Sequence, residues 1–392
     1  MTRCVLLKYG ELALKGRNQW RFAALLRDNT RRAFRELGEV EVRQRAGVLV
    51  VVPQEWDDRL VERARDVLGI SLLHPAVAVE RDADAAARTA IELLHDVPGD
   101  ATFAVRARRR DKRFPLNSQE IATLVGAEVQ RALGLGVDVT APDAQVHIEV
   151  DEREIFLYTE RIRARGGLPV GISGHALVLL SGGIDSPVSA YRAMKRGLRC
   201  DFVHFSGRPH TGPESDYKAY AQVRTLDRFQ GDSRLFTIPF GAAQRRLAGV
   251  GSEKLQILAQ RRLMLRTASA LAARERLDAL VTGDSLGQVS SQTLPNLAAV
   301  EDATELPLLR PLIALDKAEI MDEARDIGTL AISELPAEDC CQMFASPRAE
   351  TRARVDDLTR IDRLADAEQL VEELLAGATP LRPGDSPARE AA

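Results

Sequence analysis

Apolar positions follow one rhythm before Gly166 and another after it. In the first part, residues 5–7 and 47–52 read as strands. Between them Phe22, Leu25, Leu26, Phe34 and Leu37 recur at helical spacing over residues 17–37, and Gly38 stops the run. This predicts a small α+β unit ending near Pro53. Residues 57–68 and 83–94 are amphipathic and helical, and 74–80 is strand-like. A strand at 102–105 runs straight into a basic stretch, Arg106-Ala107-Arg108-Arg109-Arg110-Asp111-Lys112-Arg113. Ser118 is the expected N-cap of a helix over 118–133, and strands at 146–150 and 154–158 flank the Asp151-Glu152-Arg153 turn. Gly166-Gly167-Leu168-Pro169 reads as the linker out.

Beyond the linker the pattern becomes strand, loop, helix, repeated. Strands are expected at 176–180, 200–205, 235–239 and 279–282, with helical segments between them. That alternation predicts a doubly wound, parallel α/β sheet. Residues 381–392, rich in Pro, Gly, Asp, Ser, Arg, Glu and Ala, are expected to be a disordered tail. No internal repeat is visible.

Bulk properties narrow the class. A chain of 392 residues with 45% hydrophobic and 28% charged residues fits a folded protein of two or three domains. It has no apolar run of about eighteen residues and no signal-peptide core near Met1-Thr2-Arg3, so a cytoplasmic protein without membrane contact is expected. Cys4 and Cys200 sit in apolar strand-like runs, where a small buried hydrophobe is the natural role. Cys340 and Cys341 are adjacent in a polar stretch. Two neighbouring cysteines alone make a poor zinc or iron–sulfur site, so no metal held by the protein alone is expected. A net charge of −3 argues against a polycation, but a local basic patch still acts over a Debye length of about 8 Å.

The sharpest signal is Leu179-Leu180-Ser181-Gly182-Gly183-Ile184-Asp185-Ser186-Pro187. An apolar strand ends in Ser-Gly-Gly, and a helix is expected to start near Ser186 with Pro187 at its first position. The glycines let several backbone N–H groups converge, and the helix start adds positive potential, which together suit a phosphate. The stretch lacks the Gly-Lys-Ser/Thr ending of a Walker loop. Asp185 offers a hard oxygen for a Mg²⁺ arriving with ATP, directly or through water.

This run resembles the loop of the PP-loop ATP pyrophosphatases, which cleave ATP to AMP and pyrophosphate while adenylating a substrate oxygen. Further stretches are similar to the tRNA 4-thiouridine synthetases (tRNA uracil 4-sulfurtransferases): Lys8-Tyr9-Gly10-Glu11-Leu12-Ala13-Leu14-Lys15-Gly16, the run from Val281 to Gln292 that includes Gly283-Asp284, the run from Arg310 to Ile320, and Glu338-Asp339-Cys340-Cys341. The resemblance covers the chain to about residue 350. It implies an N-terminal ferredoxin-like domain (1–56), an RNA-binding THUMP domain (57–165) and a C-terminal PP-loop domain of the adenine nucleotide α-hydrolase type (172–380). It further implies nucleotide contacts from Leu179, Leu180, His204, Phe205, Arg261, Gly283 and Gln292, beside Ser181, Gly182, Gly183, Asp185, Ser186 and Asp284. Packing alone also accounts for Leu179, Leu180 and Phe205, and His204 also reads as a polar strand end. Arg261 opens a helical stretch with Arg262, one of which is free to be solvated. Asp316 and Glu319 fit a capping box, with Lys317 left to face phosphates.

Cys340 matches the family's reactive cysteine, with Cys341 beside it. The implied chemistry adenylates the uracil C4 oxygen, after which a sulfur nucleophile expels AMP. Many members carry a rhodanese domain whose cysteine holds the persulfide; no cysteine follows Cys341 here, which leaves open the thiamine-biosynthesis role of those relatives. The expected sulfur donor is a cysteine desulfurase. Arg106, Arg108, Arg109, Arg110, Lys112 and Arg113, extended by Arg161, Arg163 and Arg165, are the candidate tRNA contacts, binding phosphates and shape rather than sequence. A homodimer is implied by the relatives. Two alternatives stay open on sequence alone: a PP-loop ligase acting on another RNA base or a small molecule, and a non-enzymatic RNA-binding module.

Overall fold

The computed structural model describes residues 1–11, 18–45, 47–336 and 350–382. These form two compact units, Met1–Gly167 and Leu168–Ala392.

The first unit runs β1 (Thr2–Lys8), α1 (Gln19–Ala33), β2 (Val40–Arg45), β3 (Val48–Pro53), α2 (Arg59–Arg65), β4 (Leu72–Val79), α3 (Ala83–Leu94), β5 (Thr102–Arg109), α4 (Ser118–Leu133), β6 (Gly136–Val137), β7 (Ala144–Val150), β8 (Ile155–Tyr158) and β9 (Ile162–Arg163). Its strands form one sheet in the order β2-β3-β1-β4-β8-β7-β5-β6, with β9 also on β4. Strand β4 pairs antiparallel with β1 on one side and with β8 on the other, so no break divides the ferredoxin-like part from the strands of residues 102–163. Period-2 alternation sends Val146, Ile148 and Leu157 to the face packed by Ala86, Ile121 and Val125 of α3 and α4. The opposite face gathers Cys4, Leu6, Val48, Val50, Ala76 and Phe156. That face rolls over on itself. Arg45, on the edge strand β2, reaches Asp151 at 3.5 Å and Glu154 at 3.6 Å in the β7–β8 turn, several strands away.

The second unit runs β10 (His175–Leu179), α5 (Asp185–Lys195), β11 (Arg199–Ser206), α6 (Glu214–Gln230), β12 (Leu235–Pro239), α7 (Gly241–Ala248), α8 (Gln256–Glu275), β13 (Ala279–Val281), α9 (Leu294–Glu301), β14 (Leu308–Leu309), α10 (Lys317–Asp326), α11 (Leu330–Ser333), α12 (Val355–Ala365), α13 (Ala367–Ala376) and β15 (Thr379–Leu381). The sheet order is β14-β13-β10-β11-β12-β15, parallel except for the antiparallel β12–β15 edge. The chain winds from β10 to β12 in one direction and then crosses to β13, so a switch point lies between β10 and β13, where such sheets open a crevice at their carboxyl ends.

The doubly wound sheet is as expected. Several details differ. Asn117, not Ser118, caps α4, because Asn117 Oδ1 accepts from the Gln119 and Glu120 amides while Glu120 reaches back to the Asn117 amide. The expected 57–68 helix is only Arg59–Arg65, and Leu381, the first residue of the expected tail, ends an edge strand over 379–381 that pairs with β12. Residues 383–392 lie outside the described residues, as do 12–16 of the Lys8–Gly16 stretch. Cys4 and Cys200 are fully buried, and burial pushes the Cys4 thiol up to about 12 and the Cys200 thiol still further. Both are inert hydrophobes. Among the described residues no helix is long and apolar enough to cross a membrane.

Candidate active site

At the switch point the chain leaves β10 and turns through 181–184 before entering α5. Gly182 has φ +80°, which L side chains rarely adopt. The turn is held by its own serines: the Ser181 amide donates to Ser186 Oγ at 3.1 Å, and the Gly183 amide to Ser181 Oγ at 3.2 Å. Helix α5 begins at Asp185, which makes Pro187 its third residue rather than its first. The missing N–H still falls among the orphan donors of the first turn, so it costs nothing there. Gly283, just past β13, comes against this turn so closely that a Cβ would lie 2.8 Å from the Ser186 amide nitrogen.

Between the two loops lies a cavity of about 280 Å³. Its apolar walls are Leu179, Ile257, Met264, Leu265, Val300 and Leu308. Its polar end carries Ser181, Asp185, Ser186, Arg261, Asp284 and Gln292, joined by Thr282, Gly283 and Ser291. An apolar slot with convergent polar groups at one end suits a base with phosphates attached. Asp284 is the hub of the polar end. It pairs with Arg261, accepts from Thr282 Oγ1 at 2.8 Å and lies 3.3 Å from Arg310 Nε. Burial works to raise its pKa, but the two guanidinium charges and the hydroxyl overcome this and hold the carboxyl below its ordinary value. Asp185 accepts from Lys317 Nζ at 2.7 Å and from Gln288 Nε2 at 3.1 Å. Lys317 is the first residue of α10, and Asp316 and Glu319 do form the capping box.

Other expected contacts go elsewhere. His204 is buried, donates through Nδ1 to the Leu180 carbonyl at 2.8 Å and faces Ser215 Oγ with Nε2, so it fixes the entry to the loop. Leu180 is buried and bonded to the Val203 carbonyl, and Phe205 packs edge-on against Phe240 in the core. Neither lines the cavity. Arg261 lies in the second turn of α8, not at its start, and neither it nor its neighbour is merely solvated: Arg262 is wholly buried against Asp362 and Asp302. Gln288 and Arg310 stand in recognisable stretches but carry side-chain roles that only the fold reveals. Gln222, in mid-α6, has no sequence signal. It donates to the Gly182 and Gly183 carbonyls at 3.0 and 3.2 Å. Cys340 and Cys341 lie outside the described residues.

In the first unit the basic run divides by strand alternation. Arg106 and Arg108 project from the sheet face away from α3 and α4 and are exposed, and Lys112 is exposed beyond the strand. Arg109 turns under the sheet, donating to the Lys112, Phe114 and Leu116 carbonyls at 3.4, 3.3 and 3.2 Å. Arg110 pairs with the buried Glu149, and Arg113 with Asp111 at 2.9 Å. Arg165 pairs with Asp66 at 3.3 Å, while Arg161 and Arg163 are exposed.

Comparison with known proteins accords with this layout. A family profile described as "Thiamine biosynthesis protein (ThiI)" matches residues 171–366. A THUMP domain profile matches 80–160, and a ThiI ferredoxin-like profile matches 4–73. A "Probable tRNA sulfurtransferase" of Nocardia farcinica is 52% identical, over 97% of this chain and 94% of its own. The chain belongs to the ThiI tRNA sulfurtransferase family. A more distant ThiI relative, the "Probable tRNA sulfurtransferase" of Levilactobacillus brevis, is 37% identical over 97% of this chain and 96% of its own. Among solved structures, a 4-thiouridine synthetase–RNA complex with bound ATP aligns with TM-score 0.89 and 31% identity. That alignment covers 97% of this chain and all of that one. ThiI membership thus extends over the ferredoxin-like, THUMP and PP-loop parts together.

Proposed function

We propose that the chain transfers sulfur to C4 of a tRNA uridine, at position 8, giving 4-thiouridine while ATP is cleaved to AMP and pyrophosphate. The observation that carries this is the crevice between β10 and β13, with the Ser181–Ser186 turn at one end and apolar walls at the other, in a chain similar throughout to tRNA sulfurtransferases. The apolar walls take adenine, and the amides of the turn and the start of α5 take phosphates. Arg261, held by Asp284, and Lys317, beside Asp185, face the charge that grows as the C4 oxygen attacks the α-phosphorus and pyrophosphate leaves.

Mg²⁺ is expected with the nucleotide. Asp185 fits as a ligand: its carboxylate is a hard oxygen donor at the cavity wall, and Mg²⁺ commonly takes one or two carboxylates with phosphates and water. Bound there, the ion would neutralise phosphate charge. Among the described residues no group of three or more His, Cys, Asp or Glu is placed to hold a metal alone.

The adenylated C4 then accepts sulfur from a cysteine persulfide at Cys340 or Cys341. The terminal sulfur bonds to C4, the C–O bond breaks and AMP departs. A second thiol then attacks the cysteine's own sulfur, releasing 4-thiouridine and leaving a disulfide that an external thiol reduces. A cysteine desulfurase would recharge the persulfide, and the thiamine role in the family's description would draw on the same sulfur. Arg106, Arg108 and Lys112 would hold tRNA phosphates, and a homodimer is the expected assembly. The test is mass spectrometry of tRNA nucleosides after incubation with ATP, Mg²⁺ and a persulfide source. Absence of both 4-thiouridine and tRNA-dependent AMP would end this reading.

A further inference from the structure

Two ion pairs reach the polar end of the crevice, Lys317 with Asp185 and Arg261 with Asp284. Each sums to zero, so neither pair as a whole draws in a polyanion. What lies behind Asp284 changes the sum. Its Oδ1 faces Arg261, while its Oδ2 accepts from Thr282 Oγ1 at 2.8 Å and lies 3.3 Å from Arg310 Nε. Burial opposes ionisation of Asp284, but the two guanidiniums and the hydroxyl hold its carboxyl below the ordinary value, so it carries a full negative charge. Arg310 directly follows β14, which lies against β13, and the Thr282 amide donates to the Leu309 carbonyl at 3.0 Å. The sheet itself therefore sets the second guanidinium behind the carboxylate. The other arm of Arg310, Nη1, reaches Glu301 Oε2 at 2.6 Å. Glu301 is the last residue of α9, where the helix dipole disfavours an anion.

Four charges thus stand in file from the cavity outward: Arg261, Asp284, Arg310 and Glu301. They do not weigh equally. Asp284 is 5% exposed and Arg310 12%, whereas Glu301 is 48% exposed, so water screens the outermost charge most. The inner three sum to one positive charge. Neither Arg310 nor Glu301 is among the described residues that line the cavity. Nη2 of Arg310 is buried and has no hydrogen-bond partner among the described residues. A buried guanidinium with an unused nitrogen costs folding free energy, so stability alone does not account for it.

We propose that Arg310 is a positioning residue for the nucleotide's phosphates: it offsets the charge of Asp284 from behind, so that Asp284 holds Arg261 in place without cancelling its attraction for a triphosphate. Glu301 orients the Arg310 guanidinium and, standing half in water, subtracts little. This rests on the reading that the crevice binds ATP with its phosphates at the Ser181–Ser186 turn. With Arg310 removed, Arg261 and Asp284 close into a neutral pair, while the apolar walls that take the base keep their shape. The loss then falls on the charged part of the ligand and not on the base.

Calorimetry on the full-length protein, with ATP and Mg²⁺ and in parallel with adenosine, separates charge from shape, since adenosine has the base but no phosphate. Arg310→Met should weaken ATP binding by about tenfold while adenosine binding stays within about twofold of wild type. Arg310→Lys, which keeps the charge, should recover most of the loss. Glu301→Gln keeps an acceptor for Arg310 and deletes the outer anion, so ATP should bind as tightly as to wild type or up to about twofold tighter. A pair that served only as scaffolding would behave otherwise. ATP and adenosine weakening together in Arg310→Met, an unchanged ATP affinity there, or a matching loss in Glu301→Gln would each overturn the proposal. If Arg310→Met does not fold, Arg310→Lys and Glu301→Gln decide, and a tenfold loss of ATP affinity in either overturns it. Wild-type protein that bound no ATP would instead overturn the reading of the crevice beneath it.

Discussion

Lys317 Nζ lies 2.7 Å from Asp185 Oδ1, joining the first residue of α10 to the first residue of α5 across 132 positions of sequence. Each charge holds the other beside the cavity that Asp185 lines, and on the proposed function the ammonium would meet the nucleotide's phosphates there. Replacing Lys317 by Met should lower the rate of tRNA-dependent AMP formation by about 10²–10³. Its side chain is 43% exposed, so the urea unfolding midpoint should scarcely move. A parallel loss of stability would show the pair to be scaffolding instead.

Gly283 tests the closeness of the two loops. Alanine there places a Cβ 2.8 Å from the Ser186 nitrogen, which is backbone and has little room to yield. Gly283→Ala should weaken ATP binding, measured by calorimetry, and cost about 1–3 kcal/mol of stability through overpacking. Wild-type affinity in that variant would mean the phosphate turn is not held where we place it.

The basic run offers a contrast within five residues. Arg108→Ala and Lys112→Ala should each weaken tRNA binding and reduce the salt slope of the binding constant by up to about one unit. Arg109→Ala removes a donor to three carbonyls beneath the sheet, so it should lower thermal stability more than it changes the salt slope. Equal effects from all three would contradict this division.

Acid should loosen the first unit. His74 is pressed down to about 4 from 6.5, chiefly by burial, with its Nδ1 bond to the Glu160 carbonyl offsetting part of the shift. Glu149 is held at about 2, because Arg110, Lys8 and the Tyr158 hydroxyl outweigh its burial. Both native pKa values lie below the unfolded ones, so the unfolded chain binds more protons in each window. The His74 contribution is complete above pH 6.5 and fades as pH falls toward 4; that of Glu149 is complete above 4.5 and fades toward 2. Urea unfolding should register a loss of about 2 kcal/mol from His74 by pH 5, and His74→Gln should flatten that slope. An unchanged slope would place the acid sensitivity elsewhere.

Much of this was legible in the chain. Ser181-Gly182-Gly183 followed by Asp185 is a local signal, because a turn and a helix start are made by consecutive residues. The parallel sheet was legible from spacing alone, and so was the capping box at Asp316 and Glu319. Side-chain direction was not. Arg108 and Arg109 read alike as basic residues, yet alternation along β5 sends one to solvent and the other under the sheet. His204 and Phe205 are neighbours of the crevice in sequence pattern, but their partners Leu180 and Phe240 come from other elements. Gln222 was invisible for the same reason. A buried amide gains its meaning only from the distant carbonyls it meets.

Strand β4 has a consequence for anyone dissecting the protein. It is a plank shared by two neighbours, with β1 bonded along one side and β8 along the other, and the Arg45 contacts to Asp151 and Glu154 tie the edge strand β2 to the β7–β8 turn. A fragment cut between residues 56 and 57 would leave raw, unpaired backbone on both pieces, and each would tend to aggregate or borrow a strand from a second molecule. The first unit is therefore to be expressed whole, from Met1 through Gly167.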